Sequence, residues 1–193
     1  MRRLLRQLFK SLFHLLFKVK LTGFSHIPTQ PHIIAPNHRF ILDAPLLIGF
    51  LPMDFSAMGK ASLARSKVFG PIFRHFQAIP VERDGQDIGA IRQAITTLQR
   101  VPLIIFPEGT TTNDGGRLPA KPGLGLIAKQ AAVPIVPLTI KTNYRLFGTI
   151  ELIAHEPVRV TDFGFRRYSS QTYHEIGERV LDIVYQRVDG GAI

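Results

Sequence analysis

The chain has no cysteine, which excludes disulfides and thiolate zinc sites and permits a reducing compartment. None of its seven histidines falls in an H-E-x-x-H pattern, so no metal is expected. No serine sits in a nucleophile-elbow context, and with cysteine absent a covalent intermediate on the chain is not expected either. Acidic residues are missing from the first 42 positions, where Arg2, Arg3, Arg6, Lys10, Lys18, Lys20 and Arg39 stand without one Asp or Glu.

A long uninterrupted apolar run is lacking too. The opening stretch "MRRLLRQLFKSLFHLLFK" has neither the apolar core of ~7 to 15 residues nor the small-residue cleavage site of a secretory signal. As a helix of ~1.5 Å per residue it would be ~27 Å long, close to a bilayer core. Its charges recur at every turn, so it is expected to lie in the interface and not to span. Turned at ~100° per residue, Arg2, Arg3, Arg6, Gln7, Lys10, Ser11, His14 and Lys18 share one half. Leu4, Leu5, Leu8, Phe9, Leu12, Leu15 and Leu16 fill the other, and Phe13 and Phe17 intrude on the basic half. The alternative is an ordinary core-packing helix. A nucleic-acid-binding arm is not expected, because leucines are interleaved throughout and no zinc-finger, RNP or helix-turn-helix signature follows.

What the chain does have is enough apolar content for one globular unit. Its 193 residues are 45% hydrophobic and 20% charged, sufficient for a sizeable core in a single domain. The net charge of +10 points to an anionic partner: nucleic acid, a membrane surface or a phosphorylated substrate. Beyond the first helix, strands are expected over 19–24, 32–35, 55–58, 78–81, 103–106, 135–140 and 150–154. Helices are expected over 44–50, 68–76, 88–99, 123–130 and 171–187. Their alternation implies an α/β fold, a single domain with a central mixed, largely parallel sheet flanked by helices. Crowding of strands near 135–160 leaves room for antiparallel pairing.

Two segments carry chemistry. In "PNHRFILD" the strand over 32–35 runs into Pro36 and Asn37, which places His38 at a strand's carboxyl end, where open α/β sheets put their sites. Asp43 follows one turn later. Its carboxylate can accept from one imidazole nitrogen and leave the other free as a base, or it can simply cap the helix. In "LIIFPEGTTTNDGG" a strand empties into Glu108, Gly109 and threonines, a loop suited to hydroxyls and phosphate oxygens. The neighbouring "AKPGLG" can start a helix whose free N–H groups face an anion.

Together these segments resemble the glycerolipid acyltransferase family, in particular the 1-acylglycerol-3-phosphate acyltransferases. Four blocks match in order: Asn37, His38 and Asp43 as N-H-x-x-x-x-D; "AIPVER", which supplies Arg83; "FPEGT" at 106–110; and the V-P-I-V-P-like strand at 133–137. The similarity runs over roughly 19–160, and "GKASLARSKVFGPIFRHF" also resembles the segment between the first two blocks. With the pattern of 1–18 read as a membrane-associating helix, the resemblance implies an acyltransferase domain at 19–193, and the two together a peripheral or monotopic protein at the cytoplasmic face of an anionic membrane. It implies direct acyl transfer from acyl-CoA or an acyl carrier protein to the hydroxyl of a lysophospholipid, without cofactor, metal or nucleic acid. His38, oriented by Asp43, is the expected base. Arg83 is the expected phosphate ligand, its guanidinium matching phosphate oxygens, with Lys60 and Lys121 as further cations. Glu108, with Gly109 and Thr110, would hold the acceptor's glycerol end. Backbone amides near 106–110 or at the Asp43 helix would stabilise the oxyanion.

Two positions depart from the family pattern. Thr111 stands where an arginine commonly follows E-G-T, and Phe40 where the first block commonly has serine. Both make the site less polar. They should lessen discrimination against a head-group-bearing acceptor such as lysophosphatidylethanolamine, but Lys121 or Arg117 is a candidate to restore the charge. The acceptor ranked first is 1-acylglycerol-3-phosphate, giving phosphatidate, with lysophosphatidylethanolamine as the alternative. A non-enzymatic membrane- or nucleic-acid-binding module is the alternative of another class, and the intact His38, Asp43 and Glu108 oppose it.

Overall fold

The β-branched runs pair into one seven-stranded sheet, and the helix-forming stretches between them cover both of its faces. The computed structural model describes residues 2–67, 69–82, 87–111 and 116–189. The elements in chain order are α1 (Arg2–Leu16), β1 (Lys18–Thr22), β2 (Ile33–Pro36), α2 (Asp43–Phe50), β3 (Ser56–Lys60), α3 (Ala61–Arg65), α4 (Phe69–His75), β4 (Ile79–Val81), α5 (Ile88–Thr97), β5 (Leu103–Ile104), α6 (Gly123–Ala131), β6 (Ile135–Lys141), β7 (Thr149–Ala154) and α7 (Ser170–Asp189). The strand order is β1-β7-β6-β2-β5-β3-β4. From β6 to β4 every neighbouring pair is parallel, β7 is antiparallel to β6, and β1 is parallel to β7. The crowding near 135–160 thus resolves into the antiparallel β6–β7 pair and an isolated antiparallel bridge between Ile135 and Val158.

Alternation along the strands makes the two cores. Successive side chains of a strand point to opposite faces. Ile34, Ile104, Val136, Leu138 and Ile140 therefore meet α2 and the aromatic side chains of α1 on one face. Ile33, Ala35, Leu103, Ile105 and Ile135 meet α5, α6 and α7 on the other. Both faces of the central strands are buried, which explains why they read as near-continuous apolar runs.

Several expected elements shift. β1 stops at Thr22, where Gly23 (φ 70°) turns the chain into a 3-10 turn at Phe24–His26. The short helix α3 follows directly on β3 and was not expected. The start of the helix expected from 68 lies outside the described residues, and α4 runs from Phe69 to His75. Asp87 caps α5 by accepting from the Ala90 N–H at 2.9 Å, as an N-cap carboxylate does.

The helix α1 does not follow the two halves that its pattern suggests. Phe13 and Phe17, the residues that intrude on the basic half, are buried against Phe50 and Tyr144. Leu5, Phe9 and Leu16 pack partly beside them. Leu4, Leu8, Leu12 and Leu15 are left exposed as a stripe. The crossing with α2 is close, since a Cβ on Gly49 would meet the Lys10 backbone N at 3.1 Å. Arg6 ties the helix down by donating to the Met53 carbonyl at 2.7 Å. Among the described residues no helix is long and apolar enough to cross a membrane.

Candidate active site

β2, β5, β3, β4 and β6 run parallel, so their carboxyl ends share one edge of the sheet. There the side chains singled out in the sequence collect. His38 leaves the end of β2, Glu108 follows β5, and Lys60 is the last residue of β3. Arg83, the expected phosphate ligand, follows β4 in the sequence and lies outside the described residues.

The turn carrying His38 is pinned by its neighbour. Asn37 is fully buried; its Nδ2 donates to the Ile140 carbonyl at 3.0 Å and its Oδ1 accepts from the Ile140 N–H at 2.7 Å. A side-chain amide thereby replaces one rung of the β2–β6 ladder, and the chain is free to turn without orphaning Ile140.

Asp43 is 1% exposed and accepts four hydrogen bonds. Oδ2 takes the N–H groups of Arg39 and Phe40, both at 2.8 Å, and faces His38 Nδ1 at 3.1 Å. Oδ1 takes the Tyr144 hydroxyl at 2.7 Å. Helix capping is not its role: Leu42 is the N-cap and makes no side-chain cap bond, while Asp43 reaches back to the turn before it. An acceptor-only carboxylate opposite Nδ1 assigns the proton to Nδ1, leaving the Nε2 lone pair free. The imidazole stacks on Phe106 with centroids 3.9 Å apart and planes 26° apart, and its side chain is 18% exposed. The dyad is therefore braced from below and open on one side.

Glu108 is also 1% exposed. Its Oε1 accepts the Tyr185 hydroxyl at 2.9 Å and lies 3.5 Å from the His38 N–H, and its Oε2 lies 3.4 Å from the Leu118 N–H. Burial pushes its carboxyl above the usual range, and these donors pull back only in part. Burial, then the charge of Glu108, pushes the Tyr185 phenol up; burial, then Asp43, does the same for Tyr144. Both phenols thus stay protonated donors to their carboxylates.

The loop after Glu108 closes on itself. Gly109 has φ 71°, a conformation that favours glycine, and its N–H bonds the Phe106 carbonyl at 3.1 Å. Thr110 and Thr111 are half-buried behind it. The exposed Lys121 lays its stem across the turn, its Cγ 3.3 Å from where a Gly109 Cβ would stand. Arg117, the other candidate to restore the charge, is committed elsewhere: it binds Glu178 at 2.6 Å and Asp182 at 2.7 Å on α7.

Tyr144, Tyr185 and Asn37's pairing had no signal in the local sequence. Arg39 was counted only as charge, yet its half-buried guanidinium stands near enough to Tyr185 to oppose the upward push on that phenol.

Comparison with known proteins places this geometry. The model of the family described as Acyltransferase matches residues 18–141. The 1-acyl-sn-glycerol-3-phosphate acyltransferase alpha of Mus musculus is 33% identical over 141 residues, covering 67% of this chain and 47% of that protein. The chain thus spans about half the length of the mammalian relatives it matches. The 1-acyl-sn-glycerol-3-phosphate acyltransferase of Streptococcus pneumoniae is 29% identical over 175 residues, 84% of this chain and 63% of that protein. Among solved structures, the 1-acyl-sn-glycerophosphate (LPA) acyltransferase PlsC from Thermotoga maritima superposes with a TM-score of 0.79 at 27% identity, covering 98% of this chain and 78% of that one.

Proposed function

Because the chain belongs to the acyltransferase family, we propose that it moves a fatty acyl group from an acyl thioester to the free hydroxyl of a lysophospholipid, with 1-acylglycerol-3-phosphate as the first acceptor and phosphatidate as the product. The observation that carries this reading is the dyad: His38 Nδ1 held 3.1 Å from a buried, fourfold hydrogen-bonded Asp43, with the imidazole still partly exposed.

The chemistry follows from that geometry. Nε2 takes the proton of the acceptor hydroxyl as its oxygen attacks the thioester carbonyl. Asp43 stabilises the imidazolium that forms. The tetrahedral intermediate collapses, the carbon–sulfur bond breaks, and the imidazolium returns the proton to the leaving thiolate. A positioned base contributes ~100-fold to 10,000-fold, and oxyanion stabilisation with binding supplies the rest. Glu108, shielded and bonded by protein donors, acts in this reading as the brace between the His38 turn and α7, not as a direct ligand. Arg83 and Lys121, with Lys60 further along the edge, are the proposed cations for the acceptor's phosphate or the donor. Gly109 and Thr110 shape the turn beside them.

The exposed leucine stripe of α1 with its basic neighbours supports attachment to an anionic lipid interface, where such helices lie flat. Lysophosphatidylethanolamine is the second reading for the acceptor, favoured by Thr111 and by the commitment of Arg117 to α7. A thiol-release assay with a panel of lysophospholipids, run with acyl-CoA and with acyl carrier protein, tests both. The expected result is thiol release that needs donor and acceptor together and is fastest with lysophosphatidic acid. Release without an acceptor, or none with any acceptor, overturns the reading.

A further inference from the structure

The segment between β6 and β7 leaves the same sheet edge as the dyad and presents its apolar side chains outward. Leu146 is 66% exposed and Phe147 70%. Nothing about the segment is loose. The Tyr144 N–H bonds Thr142 Oγ1 at 3.0 Å, the Arg145 N–H bonds Asn143 Oδ1 at 3.1 Å, and the Gly148 N–H bonds the Arg145 carbonyl at 2.8 Å. Tyr144 and Phe147 have φ of 51° and 61°, a region that bulky side chains rarely adopt and that persists only where surrounding structure imposes it. The backbone thus holds a leucine and a phenylalanine out in solvent.

The segment is joined at both ends to parts already described. On one side the Phe147 N–H bonds the Leu16 carbonyl at 2.7 Å, and the Lys18 N–H bonds the Gly148 carbonyl at 2.9 Å, so it abuts the end of α1 where Leu12 and Leu15 are exposed. On the other side Tyr144 gives its hydroxyl to Asp43 at 2.7 Å and packs edge-on against Phe17 and Phe40 at 5.9 and 5.1 Å. The 40–42 turn beside it exposes Ile41 and Leu42.

We propose that residues 145–147 insert into an anionic lipid interface beside α1, and that Tyr144 makes this segment a positioning element for Asp43. Charge decides the partner. Arg145 stands in the segment, and Lys18 and Lys10 are exposed along the adjoining helix end. Cations interleaved with exposed apolar side chains fit phosphate head groups above acyl chains. The His38 turn then faces the surface in which an acceptor with an acyl tail resides. The positioning half rests on the proposed acyl transfer, whereas the insertion half does not.

The chain contains no tryptophan, so Phe147→Trp in the full chain provides a single tryptophan at the tip, excited at the red edge of its absorption where the four tyrosines do not absorb. Added to vesicles of phosphatidylglycerol and phosphatidylethanolamine, it is expected to shift to the blue and to be quenched by lipids brominated on their acyl chains. Emission that stays unshifted while the protein sediments with the vesicles overturns insertion. So does a shift that needs no vesicles and grows with protein concentration, which would mean a second copy. A chain that does not sediment with vesicles at all overturns insertion and the attachment through α1 together. For the positioning half, Tyr144→Phe keeps the ring contacts and removes only the hydroxyl. Vesicle binding should hold and the melting temperature should drop modestly, because a buried carboxylate loses one of its four donors, while kcat, measured well below the melting temperature, falls roughly 10-fold with KM unchanged. An unchanged kcat, or a fall that vanishes once corrected for the folded fraction, overturns it. A parent protein inactive toward every acceptor refutes the enzymatic reading while the tryptophan result still stands.

Discussion

At Asp43 one side chain serves two ends, because the carboxylate that orients His38 also holds the Arg39 and Phe40 amides of its turn. Asp43→Asn therefore puts an amide among donors and is expected to cost activity and stability together, with a fall in melting temperature that His38→Ala does not share. His38→Ala should leave the fold intact and less than about a hundredth of the parent's kcat, since a positioned base is worth ~100-fold or more; retention of a tenth of the rate would remove His38 from the mechanism. Position 111 belongs to this scale as well. A phosphomonoester carries up to two charges and gains from two cationic partners, whereas a phosphodiester carries one. Thr111→Arg should raise kcat/KM for lysophosphatidic acid relative to lysophosphatidylethanolamine, and an unchanged ratio would mean that residue 111 does not read the phosphate.

At the scale of elements, α1 has one face in the core and another in solvent, so its removal is a poor test of what either face does. Phe13 and Phe17 are buried, and truncating one such phenylalanine to alanine costs about 3 to 5 kcal/mol. The stripe can be altered alone. A variant carrying Leu4→Gln, Leu8→Gln, Leu12→Gln and Leu15→Gln keeps good helix formers and should melt close to the parent while losing sedimentation with anionic vesicles. Phe13→Ala should do the reverse, melting early while the folded fraction still binds. High salt should weaken the parent's binding only in part, because the apolar share is unscreened.

Over the whole molecule, two buried groups tilt stability with pH in opposite senses. Burial lowers the pKa of His32 from its ordinary 6.5, the largest influence, with the Gln30 carbonyl opposing. The unfolded chain then binds the extra proton more readily, so this group costs stability as pH falls below about 6.5. Burial raises Glu108 from 4.5, so its contribution is full below about 4.5 and is lost as pH rises through its folded value. His32→Leu should flatten the loss of melting temperature between pH 7 and pH 5, as thermal melts across that range would record. A parent and variant that decline in parallel would place the acid sensitivity in other groups.

Much of the fold and the core of the site can be read from local pattern. Period-two apolar runs and helical spacing reveal the alternation of β and α within a few residues, because burial on a pleated strand or a helix face constrains neighbours in sequence. The five-residue step from His38 to Asp43 is likewise local, spanning one turn at a strand's end. What lies beyond is set by register and topology. Tyr144 reaches Asp43 across 101 positions and Tyr185 reaches Glu108 across 77, because parallel β2 and β6 end on one edge and α7 packs beneath it. Which side of α1 packs on the protein is not legible in the sequence for the same reason. A helical wheel orders residues around an axis, but which arc is buried depends on what α2 and the sheet offer, and they offer Phe50 and Tyr144 to Phe13 and Phe17, leaving the leucines outside.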